Sequence, residues 1–173
     1  MTGRMIRWVL PLLLLALIGV GVAMAASSSS TSTGTVNAVK SKTFGTILVN
    51  AKGRTLYRYT HDRKNVNTCT PDPACNKYWP PLLVKAGVKP TAGTGTKASK
   101  LGTIKAKNGM RQVTYAGWPL YTFIGDSAAR QTKGQAFEND WYVVNTSGGL
   151  VKHAATAPTS TTTPTTTSGG YGY

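Results

Sequence analysis

The 173 residues carry 20 Lys and Arg against 5 Asp and Glu, a net charge of +15 at pH 7, and only two cysteines. Once low-complexity ends are set aside, that length holds one ordinary domain with its own core. The positive excess predicts weak, salt-sensitive attraction to polyanions such as wall polymers or a membrane surface. However, Lys and Arg are spread over both halves without a nucleic-acid motif, so no specific nucleic-acid partner is expected.

Arg4 and Arg7 precede an apolar run from Trp8 to Val22, and Ala23-Met24-Ala25 and a Ser/Thr tract follow. That order makes residues 1–25 a signal peptide. The positive residues stay on the cytoplasmic side, the apolar run enters the membrane, and small side chains at Ala23 and Ala25 fit a peptidase cutting before Ala26. The competing reading is an uncleaved anchor, because Trp8 to Ala26 is 19 residues without a charge, about the length of a bilayer span. Residues 26–35 form a Ser/Thr linker and residues 154–173 a Thr/Pro-rich tail without a charged side chain. Neither can bury a core, so both read as disordered spacers. Between them, residues 36–153 hold every Asp, Glu and Cys of the chain. Removing Arg4 and Arg7 leaves 18 basic against 5 acidic side chains, a net +13.

Within residues 36–153 the first predicted hairpin joins Thr43–Asn50 to Arg54–Thr60 through a turn at Ala51-Lys52-Gly53. In a strand, Tyr57 and Tyr59 share one face, which builds the core. Cys69 and Cys75 follow with Pro71 and Pro73 between them, and in an oxidising compartment they should pair. Two other readings use the same cysteines: a metal site completed by His61 and Asp62, or a redox-active pair without the usual two-residue spacing. The second predicted hairpin joins Gly102–Lys107 to Met110–Tyr115 through Asn108-Gly109, a pair suited to the positive φ angles of a tight turn. Ala116-Gly117 then turns the chain into Trp118–Phe123, and Trp141–Asn145 supplies a last short strand. No segment shows a sustained helical period, so the fold class is all-β, a small antiparallel domain with disordered ends.

The two halves repeat each other. Gly45-Thr46-Ile47, Gly53, Leu56-Tyr57, Tyr59, Asp62 and Trp79 are answered in order by Gly102-Thr103-Ile104, Gly109, Leu120-Tyr121, Phe123, Asp126 and Trp141. Tyr57 and Tyr121 lie 64 positions apart, as do Asp62 and Asp126, and the second copy carries an additional strand-like stretch before its Leu-Tyr. The recurrence indicates duplication, with repeats at about 44–85 and about 102–145. Trp79-Pro80-Pro81 and Trp118-Pro119 are the candidate binding aromatics, because Pro keeps their surroundings out of regular central strands. Core packing is the competing role for both.

At these residues the chain resembles the bacterial secreted-repeat lipoproteins, marked by Tyr, any residue, an aromatic, two residues and Asp. Tyr57, Tyr59 and Asp62 carry the motif first, and Tyr121, Phe123 and Asp126 second. The resemblance covers about Phe44 to Val144, including the cysteine pair ahead of Trp79. It implies a secreted β-rich repeat protein of unknown function and names no activity. One departure concerns the anchor: no lipid-acceptor cysteine follows the apolar run.

The chain offers no glycine-rich phosphate loop, nucleophile elbow or zinc-protease motif, and no catalytic residue, metal or cofactor is assigned. His61 and Asp62 could form an acid–base pair, but neighbours on a strand face opposite ways. His153 sits at the domain edge. Asp62 and Asp126 could face each other as a glycosidase pair, or each could close its aromatic strand by accepting backbone hydrogen bonds, a role that duplication alone repeats. The preferred reading is a non-enzymatic binding or structural module of the cell envelope; the alternative is an envelope enzyme, or a redox or metal-binding protein. Nothing in the sequence sets an oligomeric state.

Overall fold

The computed structural model describes residues 34–154. The expected signal peptide, most of the linker and all but the first residue of the tail lie outside the described residues. In chain order the elements are β1 (Val36–Ser41), β2 (Gly45–Asn50), β3 (Tyr57–Tyr59), α1 (Pro73–Tyr78), β4 (Leu83–Lys85), β5 (Leu101–Lys105), β6 (Met110–Tyr115), β7 (Trp118–Pro119) and β8 (Trp141–Val143). Every named strand pair is antiparallel: β1 with β2, β3 with β8, and a sheet ordered β4–β6–β5 with β7 also on β6. The all-β expectation holds, with one helix added. Asp72 caps α1 by accepting from the Ala74 N–H at 2.8 Å, and Pro73 opens it with a pre-set φ. At six residues the helix is too short to show a period.

Each repeat begins with a hairpin, β1–β2 in the first and β5–β6 in the second. The counterpart of Gly102–Lys105 is therefore β1 rather than Gly45-Thr46-Ile47. What read as an additional stretch in the second copy is a strand that both copies possess. The Asn108-Gly109 turn forms with φ of 55° and 68° at its two residues. The hairpin expected from Thr43 to Thr60 forms only near its turn. Asn50 N–H bonds the Arg54 carbonyl and Leu56 N–H bonds the Leu48 carbonyl, after which the chain leaves β2 and β3 pairs with β8. The second copy does the same through Ala116-Gly117, where Leu120 N–H reaches the Val113 carbonyl at 3.1 Å.

The closing strand of each repeat crosses to the other. Leu82, three residues after Trp79, donates to the Leu120 carbonyl at 2.9 Å and accepts from Val113 N–H at 2.8 Å. Val144, three residues after Trp141, donates to the Leu56 carbonyl at 3.3 Å and accepts from Leu48 N–H at 2.8 Å. Between these crossings Tyr57 and Tyr121 exchange both backbone hydrogen bonds, at 2.9 and 3.1 Å, and mark a pseudo-twofold axis. Because successive strand residues face opposite ways, Leu48, Leu56, Leu120 and Val144 enter an aliphatic core while Ile47, Tyr57, Tyr121 and Val143 enter an aromatic one. Neither repeat alone can satisfy these backbone groups or cover these faces.

Candidate functional site

The repeated motif closes on the pseudo-twofold axis as two reciprocal locks. Tyr57 donates its hydroxyl to Asp126 Oδ2 at 2.7 Å, and Tyr121 donates to Asp62 Oδ2 at 2.7 Å. The other oxygen of each carboxylate ties down the loop of its own repeat. Asp62 Oδ1 accepts from Thr68 N–H and Oγ1 at 2.7 and 3.0 Å, and Asp126 Oδ1 accepts from Lys133 N–H at 2.9 Å. The spacing explains the motif: each Asp stands past the end of its strand, where its own N–H turns back to the carbonyl of Tyr59 or Phe123. Both carboxylates are buried, and burial pushes both carboxyls up against the opposing pull of the hydroxyl and loop N–H bonds. Burial, reinforced by the partner carboxylate, also holds the Tyr57 and Tyr121 phenols well above their usual range, so each remains a donor. Each carboxylate thus joins a Tyr of the other repeat to the loop of its own.

Trp79 and Trp141, at equivalent places in the repeats, lie on each other with centroids 3.9 Å apart and planes 1° apart. Tyr59 covers the other face of Trp141 at 4.5 Å, and Phe123 covers that of Trp79 at 4.4 Å. The four rings therefore alternate between repeats along one stack, while Tyr57 and Tyr121 meet Trp79 and Trp141 edge-on at 5.3 and 5.1 Å. Gly134 allows the close approach of the second loop: a Cβ there would stand 2.6 Å from the Trp79 ring. Its N–H donates to the Tyr57 hydroxyl at 3.3 Å. Cys69 and Cys75 form the expected disulfide, with Cα atoms 5.4 Å apart, against this aromatic core. No thiolate is left for the metal reading.

Beside the stack a cleft of about 320 Å³ opens between the two loops that run from Asp to Trp. Tyr59, Trp79 and Trp141 form its inner wall, Asp72, Cys75 and Tyr78 come from the first loop, and Phe137 and Glu138 from the second. Tyr78 and Phe137 are 50% and 41% exposed, the opposite of the buried Tyr57 and Tyr121. Sequence reasoning missed Asp72, Tyr78, Phe137 and Glu138. A signal for them existed: all five acidic residues fall within 62–72 and 126–140, the same loop in both copies. The β4–β6–β5 sheet is basic instead, with hollows bordered by Lys89 and Arg111 and by Lys105 and Lys107.

A family described as a secreted repeat of unknown function matches twice, over residues 38–83 and 102–145. The chain belongs to that family. No curated protein and no solved structure gives a match. The first secreted repeat as matched takes in most of β1, ahead of the start expected at about residue 44, in keeping with the shared opening hairpin. Membership in the secreted-repeat family supports a location outside the cell or in its envelope. Among the described residues no helix is long and apolar enough to cross a membrane.

The remaining candidates take the following places in the secreted-repeat fold. Trp79 has both ring faces covered within the stack and is 2% exposed, so it packs rather than presents a platform. Trp118 has the Arg58 guanidinium 3.5 Å from its ring centroid, which covers one face. Arg58 is itself buried, and desolvation lowers its pKa to about 10 against the opposing charge of Asp62. His61 is exposed with Nε2 3.0 Å from Asp140 Oδ1, whereas its neighbour Asp62 is buried in a lock, so the two never face each other as an acid–base pair. His153 is exposed at the domain edge.

Proposed function

We propose that the protein is a non-enzymatic module of the cell envelope, freed by cleavage before Ala26, that binds anionic wall polymers through its basic side chains. One observation carries the reading: among the described residues no Lys or Arg forms a salt bridge, the single base–carboxylate contact being that of His61 with Asp140. All 18 Lys and Arg that remain after cleavage lie within the described domain. From Pro73 to Gly125 there are eight basic residues and no acidic one, so the field over the β4–β6–β5 sheet is unopposed. The engagement of Asp62 and Asp126 in the locks supports the non-enzymatic part of the reading.

The test is retention of the secreted protein on isolated cell walls as salt is raised. Diffuse attraction of this kind weakens steeply up to physiological ionic strength, about 0.15 M, where the screening length is about 8 Å. Retention that ignores salt would replace it with a shape-specific site. Mass spectrometry of the same material should give an N-terminus at Ala26, and an intact Met1 in membrane fractions would overturn cleavage.

A further inference from the structure

The cleft beside the aromatic stack inverts the chemistry of the rest of the molecule. It is lined by Asp72 and Glu138 and by no Lys or Arg, in a domain that otherwise carries unpaired positive charge. Among the described residues Glu138 makes no hydrogen bond, and Asp72 engages only Oδ1, in capping α1. Asp140, outside the lining, is engaged by Thr60 Oγ1 at 2.7 Å and His61 Nε2 at 3.0 Å, and the ammonium of Lys77 lies 5.6 Å from the Tyr78 ring centroid. The Tyr59 phenol is raised by burial first and then by the charges of Asp140, Asp62, Glu138 and Asp72, in keeping with the negative character of this side of the stack. The faces of the two Trp rings are taken, and Tyr59 lies with one face on Trp141 and with the His61 ring 5.0 Å from its centroid, so the exposed rings of Phe137 and Tyr78 are those open to a ligand, which would share Tyr78 with Lys77.

An aromatic wall with carboxylates at its edge selects one ligand chemistry. Methyl or methylene groups lie against the rings, positive charge is drawn to their π faces and to the carboxylates, and an anion is repelled. A cleft of about 320 Å³ is at the small end of ligand sites. We propose that this cleft binds an organic cation, a quaternary or protonated alkylammonium group of about the size of choline. The proposal is independent of wall binding, which uses the opposite charge on other faces.

The test uses the full secreted protein, titrated with choline and with 3,3-dimethylbutanol, its neutral carbon isostere, and followed by the ring resonances of Tyr78 and Phe137. Choline should saturate these shifts, and the neutral isostere should bind at least about tenfold more weakly. The double variant Asp72→Asn, Glu138→Gln, in which Asn keeps a capping oxygen, should weaken choline by about tenfold while melting like the parent. Phe137→Ala should weaken it as well. Vesicles of phosphatidylcholine distinguish the source: binding that depends on Glu138 assigns the cation to a lipid headgroup, and choline saturation without vesicle binding assigns it to a free cation. No saturation by about 10 mM choline, equal binding of the isostere, or indifference to the double variant overturns the proposal.

Discussion

Removing a single hydroxyl, by Tyr121→Phe or Tyr57→Phe, isolates one lock at a time. In Tyr121→Phe, the buried Asp62 Oδ2 loses its partner while Oδ1 keeps both bonds from Thr68. A hydrogen bond to a charged group contributes about 1.5–3 kcal/mol, so the expected loss is about 2 kcal/mol. Tyr57→Phe removes the bond to Asp126 and also strands the buried Gly134 N–H, so its loss should be larger, about 3 kcal/mol. For a domain of this size these correspond to falls in melting temperature of roughly 8 and 12 °C. Urea and thermal unfolding supply both numbers. Tyr59→Phe is the control, since the Tyr59 hydroxyl makes no hydrogen bond among the described residues, and it should stay within about 0.5 kcal/mol of the parent. If the two lock variants also fall within that margin, or if Tyr59→Phe costs as much, the hydroxyl–carboxylate bonds do not hold the repeats together.

The carboxylate side of the locks should rank by its bonds: Asp62→Ala, losing three, should destabilise by about 3 kcal/mol and Asp126→Ala, losing two, by about 2 kcal/mol, with equal or negligible melts contradicting the ranking. Both carboxyls are raised in the folded state, chiefly by burial, so the stability they contribute is present below the unfolded pKa and lost as pH rises through the folded one. Relative to Asp126→Asn, the parent should therefore gain melting temperature between neutral pH and about pH 4, and a gap that stays constant or moves the other way contradicts the burial argument. Reduction of Cys69–Cys75, or its replacement by serines, should cost about 2 kcal/mol from the short ring it closes, as measured by unfolding with and without reductant.

Much of the architecture could be read from local chemistry. Asn108-Gly109 dictates its turn wherever it sits, and the cysteine pair needs only proximity and an oxidising compartment. The motif residues recur in order, so the repeat was visible, but what the motif does was not. A hydroxyl at Tyr57 reaching a carboxylate 69 residues away depends on the crossing of β3 and β8, and nothing in the spacing signals that the Asp serving Tyr57 belongs to the other copy. β1 went unrecognised for a related reason. Only Val36 in its sequence is fully buried, and its strand character comes from β2 beside it. Trp79 was a candidate platform because Pro80 and Pro81 flank it, yet its equivalence to Trp141 determines its place. Two rings related by a pseudo-twofold axis near that axis are brought onto each other.

The two repeats interlock, and neither is a folding unit by itself. Cutting the chain in the exposed turn at Ala86-Gly87 divides the described domain into 34–86 and 87–154, one repeat in each fragment. Near-ultraviolet circular dichroism and urea unfolding of each fragment alone, and of an equimolar mixture, test the claim directly. The crossed strands and reciprocal locks predict no cooperative transition for either fragment alone and recovery of the parent's aromatic signal on mixing. A single fragment at low concentration that unfolds cooperatively with a parent-like signal would contradict it.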